Sequence, residues 1–195
     1  MRHLRWLLLS LALTLLLAGC PPASSLAPSP TATPVPSPTP APPSTPLTGP
    51  LYELFVEPED ARAPVLSALA DARETLRIVM YLITDPEIIQ ALKDAAARGV
   101  EVRLLLELNP YGGSSQNALV ANDLKEAGVV VRWDPRTIRY LHQKTIIVDE
   151  AYALIMTGNF TTSAFTANRE YIVRTRHPED VSEIIATFEA DWARQ

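Results

Sequence analysis

From residue 51 onward, short apolar runs alternate with stretches whose apolar positions recur at helical spacing, whereas the first fifty residues keep neither period. Residues 51–56, 76–83, 100–108, 129–133, 145–148 and 152–157 are short and rich in β-branched and aliphatic side chains, which predicts strands. A further strand opens at Asn168-Arg169-Glu170 and runs to Arg174. Helices are expected from Asp60 to about residue 74, from Asp85-Pro86 to Gly99, from about Ser115 to Gly128, and after His177-Pro178. The second has a cap followed by a first-position proline, and Ile88, Ile89 and Leu92 share one face. The last carries Val181, Ile184, Ile185, Phe188 and Trp192 as an apolar stripe. Strand, helix, strand order over residues 76–108 predicts a parallel pairing.

The first fifty residues divide in two. Residues 1–19 carry Arg2 and Arg5, then a thirteen-residue apolar run from Trp6 to Ala18, too short to span a bilayer and read as a secretory signal. Residues 20–50 follow, with twelve prolines after Cys20, no charge and few large apolar side chains. That composition cannot build a core and reads as an extended spacer, although a proline-rich run is also a ligand for aromatic grooves. Residues 51–195 are then one domain of ordinary size. Cys20 is the one cysteine, so neither an internal disulfide nor a thiolate metal site is expected.

Charge narrows the function classes. Setting aside Arg2 and Arg5, 15 Lys and Arg face 22 Asp and Glu, a poor match to nucleic acid, whose binding depends on cation contacts. Arg132, Arg136, Arg139 and Lys144 form the most basic stretch, either a phosphate-attracting rim or a solvated loop. Gly112-Gly113 opens no phosphate-binding pattern and reads as a turn.

The chemistry-bearing segment is His142-Gln143-Lys144-Thr145-Ile146-Ile147-Val148-Asp149. Residues two apart on a strand point the same way, so His142 and Lys144 converge while Asp149 lies on the other side. An imidazole can attack phosphorus or move a proton near neutral pH, and an ammonium can hold the non-bridging oxygens. The plain alternative is a chain surfacing at the end of a buried strand. Thr157 and Asn159, again two apart, follow the next strand, and Glu170 opens the one after. His177 has no ligand-spaced neighbour and reads as a surface loop residue.

Taken together, these residues resemble the signature of the phospholipase D superfamily: H-x-K-x-x-x-x-D, six residues, G-S-x-N, and a downstream Glu. Here Asn159 matches, Thr157 stands at the family's Ser and Met156 at its Gly. The resemblance implies an α/β sandwich with a mixed central sheet flanked by helices. It also implies a catalytic set of His142, Lys144, Asp149 and Glu170: His142 as the nucleophile that becomes a phosphohistidine, Glu170 orienting its ring, and Asp149 structural. Lys144, Thr157 and Asn159 would hold the phosphate, and no cofactor or metal is needed. Likewise Leu17-Ala18-Gly19-Cys20 resembles a bacterial lipobox, which implies lipidation of Cys20 and a membrane-anchored lipoprotein facing the extracytoplasmic side. Ordinary secretion with an incidental cysteine is the alternative.

Superfamily chemistry uses two histidines, one attacking and one protonating the leaving oxygen, and this half-sized chain has one motif. The resemblance therefore implies a homodimer with one motif from each chain. A phospholipid headgroup, for hydrolysis or transfer, is the first expected substrate. A nucleic-acid phosphodiester is the second, and a catalytically silent binding module, suggested by Met156, the third.

Overall fold

The computed structural model describes residues 49–111, 116–135 and 137–194. The expected signal, Cys20 and most of the spacer lie outside these residues, as do Gly112-Gly113, Ser115 and Arg136. Seven strands and five helices follow in the order β1 (Tyr52–Glu57), α1 (Ala63–Asp71), β2 (Thr75–Met80), α2 (Pro86–Ala97), β3 (Glu101–Leu106), α3 (Gln116–Glu126), β4 (Val130–Trp133), β5 (Thr145–Val148), β6 (Tyr152–Met156), α4 (Thr162–Thr166), β7 (Glu170–Thr175) and α5 (Pro178–Ala193). One mixed sheet runs β1-β7-β6-β5-β2-β3-β4, parallel in its β2, β3 and β4 third and antiparallel elsewhere.

Helices cover both faces, as expected of an α/β sandwich. Val65 and Leu69 of α1, Ile88 and Leu92 of α2, and Ala121 and Leu124 of α3 pack with Leu76, Ile78, Leu104, Ile146 and Leu154 into the larger core. On the other face Phe188 and Trp192 of α5 cover Val79, Leu105, Ile147 and Ala153. All four residues of β5 are buried, which is why that segment reads as a continuous apolar run.

The boundaries shift where side chains compete for backbone groups. The helix expected from Asp60 starts at Ala63, because the Asp60 carboxylate accepts from Val56 N at 2.7 Å and holds a turn there instead. The strand expected to reach Leu108 ends at Leu106, where Glu107 turns its carboxylate inward. Helix α4 was not foreseen: five residues are too few to show a period, although Thr161 caps it by accepting from Ala164 N.

Candidate functional site

The strand directions decide where the site forms. β5 runs antiparallel to both β2 and β6, and β7 antiparallel to β6, so the C-terminal ends of β1, β2, β3 and β6 meet the N-terminal ends of β5 and β7. That single end of the sheet gathers Tyr81, Glu107, His142, Lys144, Asn159 and Glu170. Asp149 sits at the opposite end, five residues along β5, roughly 16 Å from Lys144 at 3.3 Å per residue.

Lys144 and His142 are the centre of the arrangement. Met156 N donates to Lys144 O at 2.9 Å, extending the ladder one residue beyond β5 and fixing the lysine backbone. Lys144 is 4% exposed; its ammonium donates to the His142 carbonyl at 2.7 Å and lies 3.1 Å from His142 Nδ1. Burial pushes its pKa down, and the Glu170 carboxylate works the other way. A cation so enclosed, with one carbonyl and one imidazole as close partners, favours an incoming anion. His142 stays exposed, its ring 4.6 Å from the Tyr81 ring, and the Lys144 ammonium is 5.4 Å over the same tyrosine.

The loop that carries Asn159 is built from the other side. Phe160 N donates to Leu82 O, and Phe160 O accepts from Thr84 N and Asp85 N, so residues 159–161 run alongside the turn that opens α2. Asp85 locks the two together: it is fully buried, caps Glu87 N and Ile88 N, pairs with Arg62 at 2.6 Å and accepts from Thr162 Oγ1 at 2.9 Å. Burial pushes this carboxyl up, but the Arg62 guanidinium and the cap hydrogen bonds outweigh it and hold it below the usual range. Asn159 points a buried Oδ1 into this region without a protein partner among the described residues.

Several expected roles change. Thr157 does not offer a free hydroxyl: it donates to Glu170 Oε2 at 2.5 Å and accepts from Tyr171 N at 2.9 Å. Glu170 in turn takes Thr157 and Asn168, while the His142 ring packs on Tyr81 and Lys144, so the carboxylate contact expected to orient that ring is not present among the described residues. Asp149 is structural, as its parity suggested, and does not belong to the catalytic group. Its oxygens accept from Arg73 N, Glu74 N and Thr75 N at 2.7–2.9 Å. Burial raises that carboxyl, and these backbone donors more than reverse the effect. Met156 points into the large core and leaves the site alone. The tight position is Gly158, where an added Cβ would lie 3.2 Å from Glu170 Cγ and 3.3 Å from Ala164 Cβ.

The basic stretch disperses. Arg132 donates to Trp192 O at 2.8 Å and stacks 4.5 Å over the Trp192 ring, closing the end of α5, and Arg139 lies over Tyr140. Arg132 is therefore held by α5 rather than standing at a rim around Lys144. His177 stands at the N-cap of α5, stacked on Tyr52, far along the sheet from the motif.

Three residues that hold the site had no sequence signal beyond their type. Tyr81 supports the histidine and accepts from Tyr111 N through its hydroxyl. Glu107, 3% exposed, accepts from Leu141 N at 2.7 Å and so fixes the chain just before His142. Asn117, fully buried, bridges Tyr81 O and Glu107 O at 2.9 and 2.8 Å. An Asn in the first turn of a helix, and an acid just after an apolar strand, were the available hints.

Comparison with known proteins agrees with this arrangement. Residues 65–192 match the family described as cardiolipin synthase, PLD-like domain. The human mitochondrial cardiolipin hydrolase is 32% identical over 135 residues, 69% of this chain and 52% of that protein. Cardiolipin synthase A of Pseudomonas aeruginosa is 34% identical over 151 residues, 66% of this chain and 30% of its own length. The chain thus spans about half the length of the hydrolase, and less of the synthase. Among solved structures, the phospholipase D family member Nuc from Salmonella typhimurium superposes with a TM-score of 0.67 at 29% identity, covering 73% of this chain and 94% of that one. NucT from Helicobacter pylori, at 22% identity and a TM-score of 0.66, shares the fold. With the sheet, the clustered His142 and Lys144 and the family match in agreement, the chain belongs to the phospholipase D-like family.

Proposed function

We propose that the protein is a phosphodiesterase of the phospholipase D type that hydrolyses the headgroup phosphodiester of phospholipids, or transfers the phosphatidyl group to an alcohol. The observation that carries this reading is the enclosed Lys144 ammonium beside an exposed His142 imidazole, 3.1 Å apart, an anion site with a nucleophile at its mouth. In the proposed cycle an imidazole nitrogen of His142 attacks phosphorus, and the bond to the leaving alcohol breaks as the imidazole of a second copy gives that oxygen a proton. Water then attacks the phosphohistidine and passes its proton back to the second imidazole, while the phosphorus–nitrogen bond breaks. Lys144 and the Asn159 side chain hold the non-bridging oxygens, and the Glu170 carboxylate opposes the effect of burial on the Lys144 ammonium.

The names of the relatives, cardiolipin hydrolase and cardiolipin synthase, support a lipid substrate. So does the proposed anchor at Cys20, which would tether the domain to the extracytoplasmic side of a membrane through a spacer of up to roughly 90 Å at 3.1 Å per residue. A nuclease is the second reading, favoured by the near full-length match to Nuc.

The test offers the full chain, wild type and His142→Ala, to phospholipid vesicles and to plasmid and single-stranded DNA, with chelator present. Headgroup release by the wild type alone is expected. Cleavage of DNA alone would establish the nuclease, and no turnover of either would establish a silent binding module.

A further inference from the structure

Glu57 is a buried acid at the site end of the sheet that the proposed cycle does not use. Both of its carboxylate oxygens are buried without a hydrogen-bond partner among the described residues. It stands opposite Glu170 in the register of β1 and β7, and directly opposed residues carry their side chains on one face, with Cβ atoms about 5 Å apart. Phe55 and Ile172, two residues away on each strand, pack in the larger core, as does Ile146, two residues after Lys144. Glu57, Glu170 and Lys144 therefore project from the same side of the sheet.

The surroundings of Glu57 favour a neutral acid. The turn after β1 brings Glu59 and Asp60, the start of β7 brings Arg169 and Glu170, and Arg62 precedes α1. Glu59 takes Arg169 with both oxygens and Asp85 takes Arg62, so these two cations are committed elsewhere. Helix α4, which packs against β1, contributes hydroxyls but no ionisable side chain. Burial, followed by the charges of Asp60 and Glu59, pushes the Glu57 pKa up to about 7. Glu170, by contrast, accepts hydrogen bonds from Thr157 and Asn168. Of two opposed acids, the one without donors holds the proton.

We propose that Glu57 is a proton switch on the anion site: while neutral it leaves Glu170 as the single negative charge of the pair, and once ionised it adds a second that repels a phosphodiester. This rests on the reading of Lys144 and Asn159 as the groups that hold the phosphate, and adds pH control to it. Two strand spacings separate β1 from β6, after which Asn159 follows, so the added charge acts from roughly 10 Å. At that distance and an effective dielectric near 20, it weakens anion binding roughly tenfold.

The test measures binding of diethyl phosphate, a monoanion throughout the range, to the full chain in detergent between pH 5.5 and 8.5. Wild type and Glu57→Gln are compared by NMR titration at a temperature where both are folded. Every other titrating group is common to the two proteins and cancels in the ratio of their dissociation constants. The ratio of wild type to variant is expected to rise roughly tenfold across the range, with a midpoint near 7. The carboxyl carbon signal of Glu57 gives a second readout. By linkage, saturating diethyl phosphate should raise its titration midpoint by about one pH unit, and Glu170→Gln should lower it. A flat ratio, or a midpoint indifferent to both the ligand and Glu170, would overturn this inference alone and leave the phosphodiester site standing. Absence of binding by both proteins at every pH would overturn the phosphodiester reading and this inference with it.

Discussion

Glu57 ends β1 with 1% exposure, and neither carboxylate oxygen has a hydrogen-bond partner among the described residues. It pairs in register with Glu170, so two acids lie side by side at the site end of the sheet. Burial, followed by the charges of Asp60 and Glu59, pushes its pKa up to about 7. The folded state therefore holds a proton that the unfolded chain releases near its ordinary value of 4.5. Stability from this group is fully present below pH 4.5, declines as pH rises, and is gone above about pH 7. A rise of that size corresponds to about 3 kcal/mol, at 1.36 kcal/mol for each pH unit. Glu57→Gln keeps the shape and cannot ionise. It should match the wild type at pH 4.5 and exceed it at pH 8 by about 2–3 kcal/mol, or roughly 5–10 °C in melting temperature for a domain of this size. Melting both proteins by circular dichroism at pH 4.5, 6 and 8 isolates the effect, because every other titrating group is common to the pair. Parallel stability profiles for the two proteins would refute the reasoning.

Other perturbations separate structure from chemistry. Asp149→Ala strips three backbone N–H groups of their acceptor and should cost about 1–3 kcal/mol in chemical denaturation while leaving kcat unchanged, since the residue is at the far end of β5. Asp85→Ala leaves Arg62 facing an empty partner position and frees the 159–162 loop, so a loss of about 3–5 kcal/mol in urea unfolding is expected, with weaker substrate binding. Lys144→Met removes an enclosed charge of similar shape: calorimetry should show equal or higher stability, and headgroup release should fall by about a thousandfold or more. Gly158→Ala forces a Cβ against Glu170 and Ala164, and a lower kcat with a melting loss of about 1 kcal/mol should appear together.

The strands and the longer helices were legible because each follows a local rule. β5, buried throughout, was marked at residues 145–148, and Asp85-Pro86 and Gly99 bracketed α2 with a cap, a first-turn proline and a glycine at φ +89°. The motif residues His142, Lys144, Asn159 and Glu170 were legible too, since spacing along the chain is what a signature records. Gly158 carried no such signal, although an added Cβ there would meet Glu170 and Ala164, while Met156 packs into the core.

The sequence by itself therefore determined the strands and the longer helices, their order and the residue types brought to one chemistry, because those depend on neighbours within a few positions. Tertiary structure alone decided that Asp149 ties β5 to the residues before β2, that Thr157 holds Glu170, and that Arg132 closes α5. It also decided that Tyr81, Glu107 and Asn117 hold the approach to His142, and that Glu57 lies opposite Glu170. Those outcomes join residues between 10 and 113 positions apart, and only the order and direction of strands in the sheet set which of them meet.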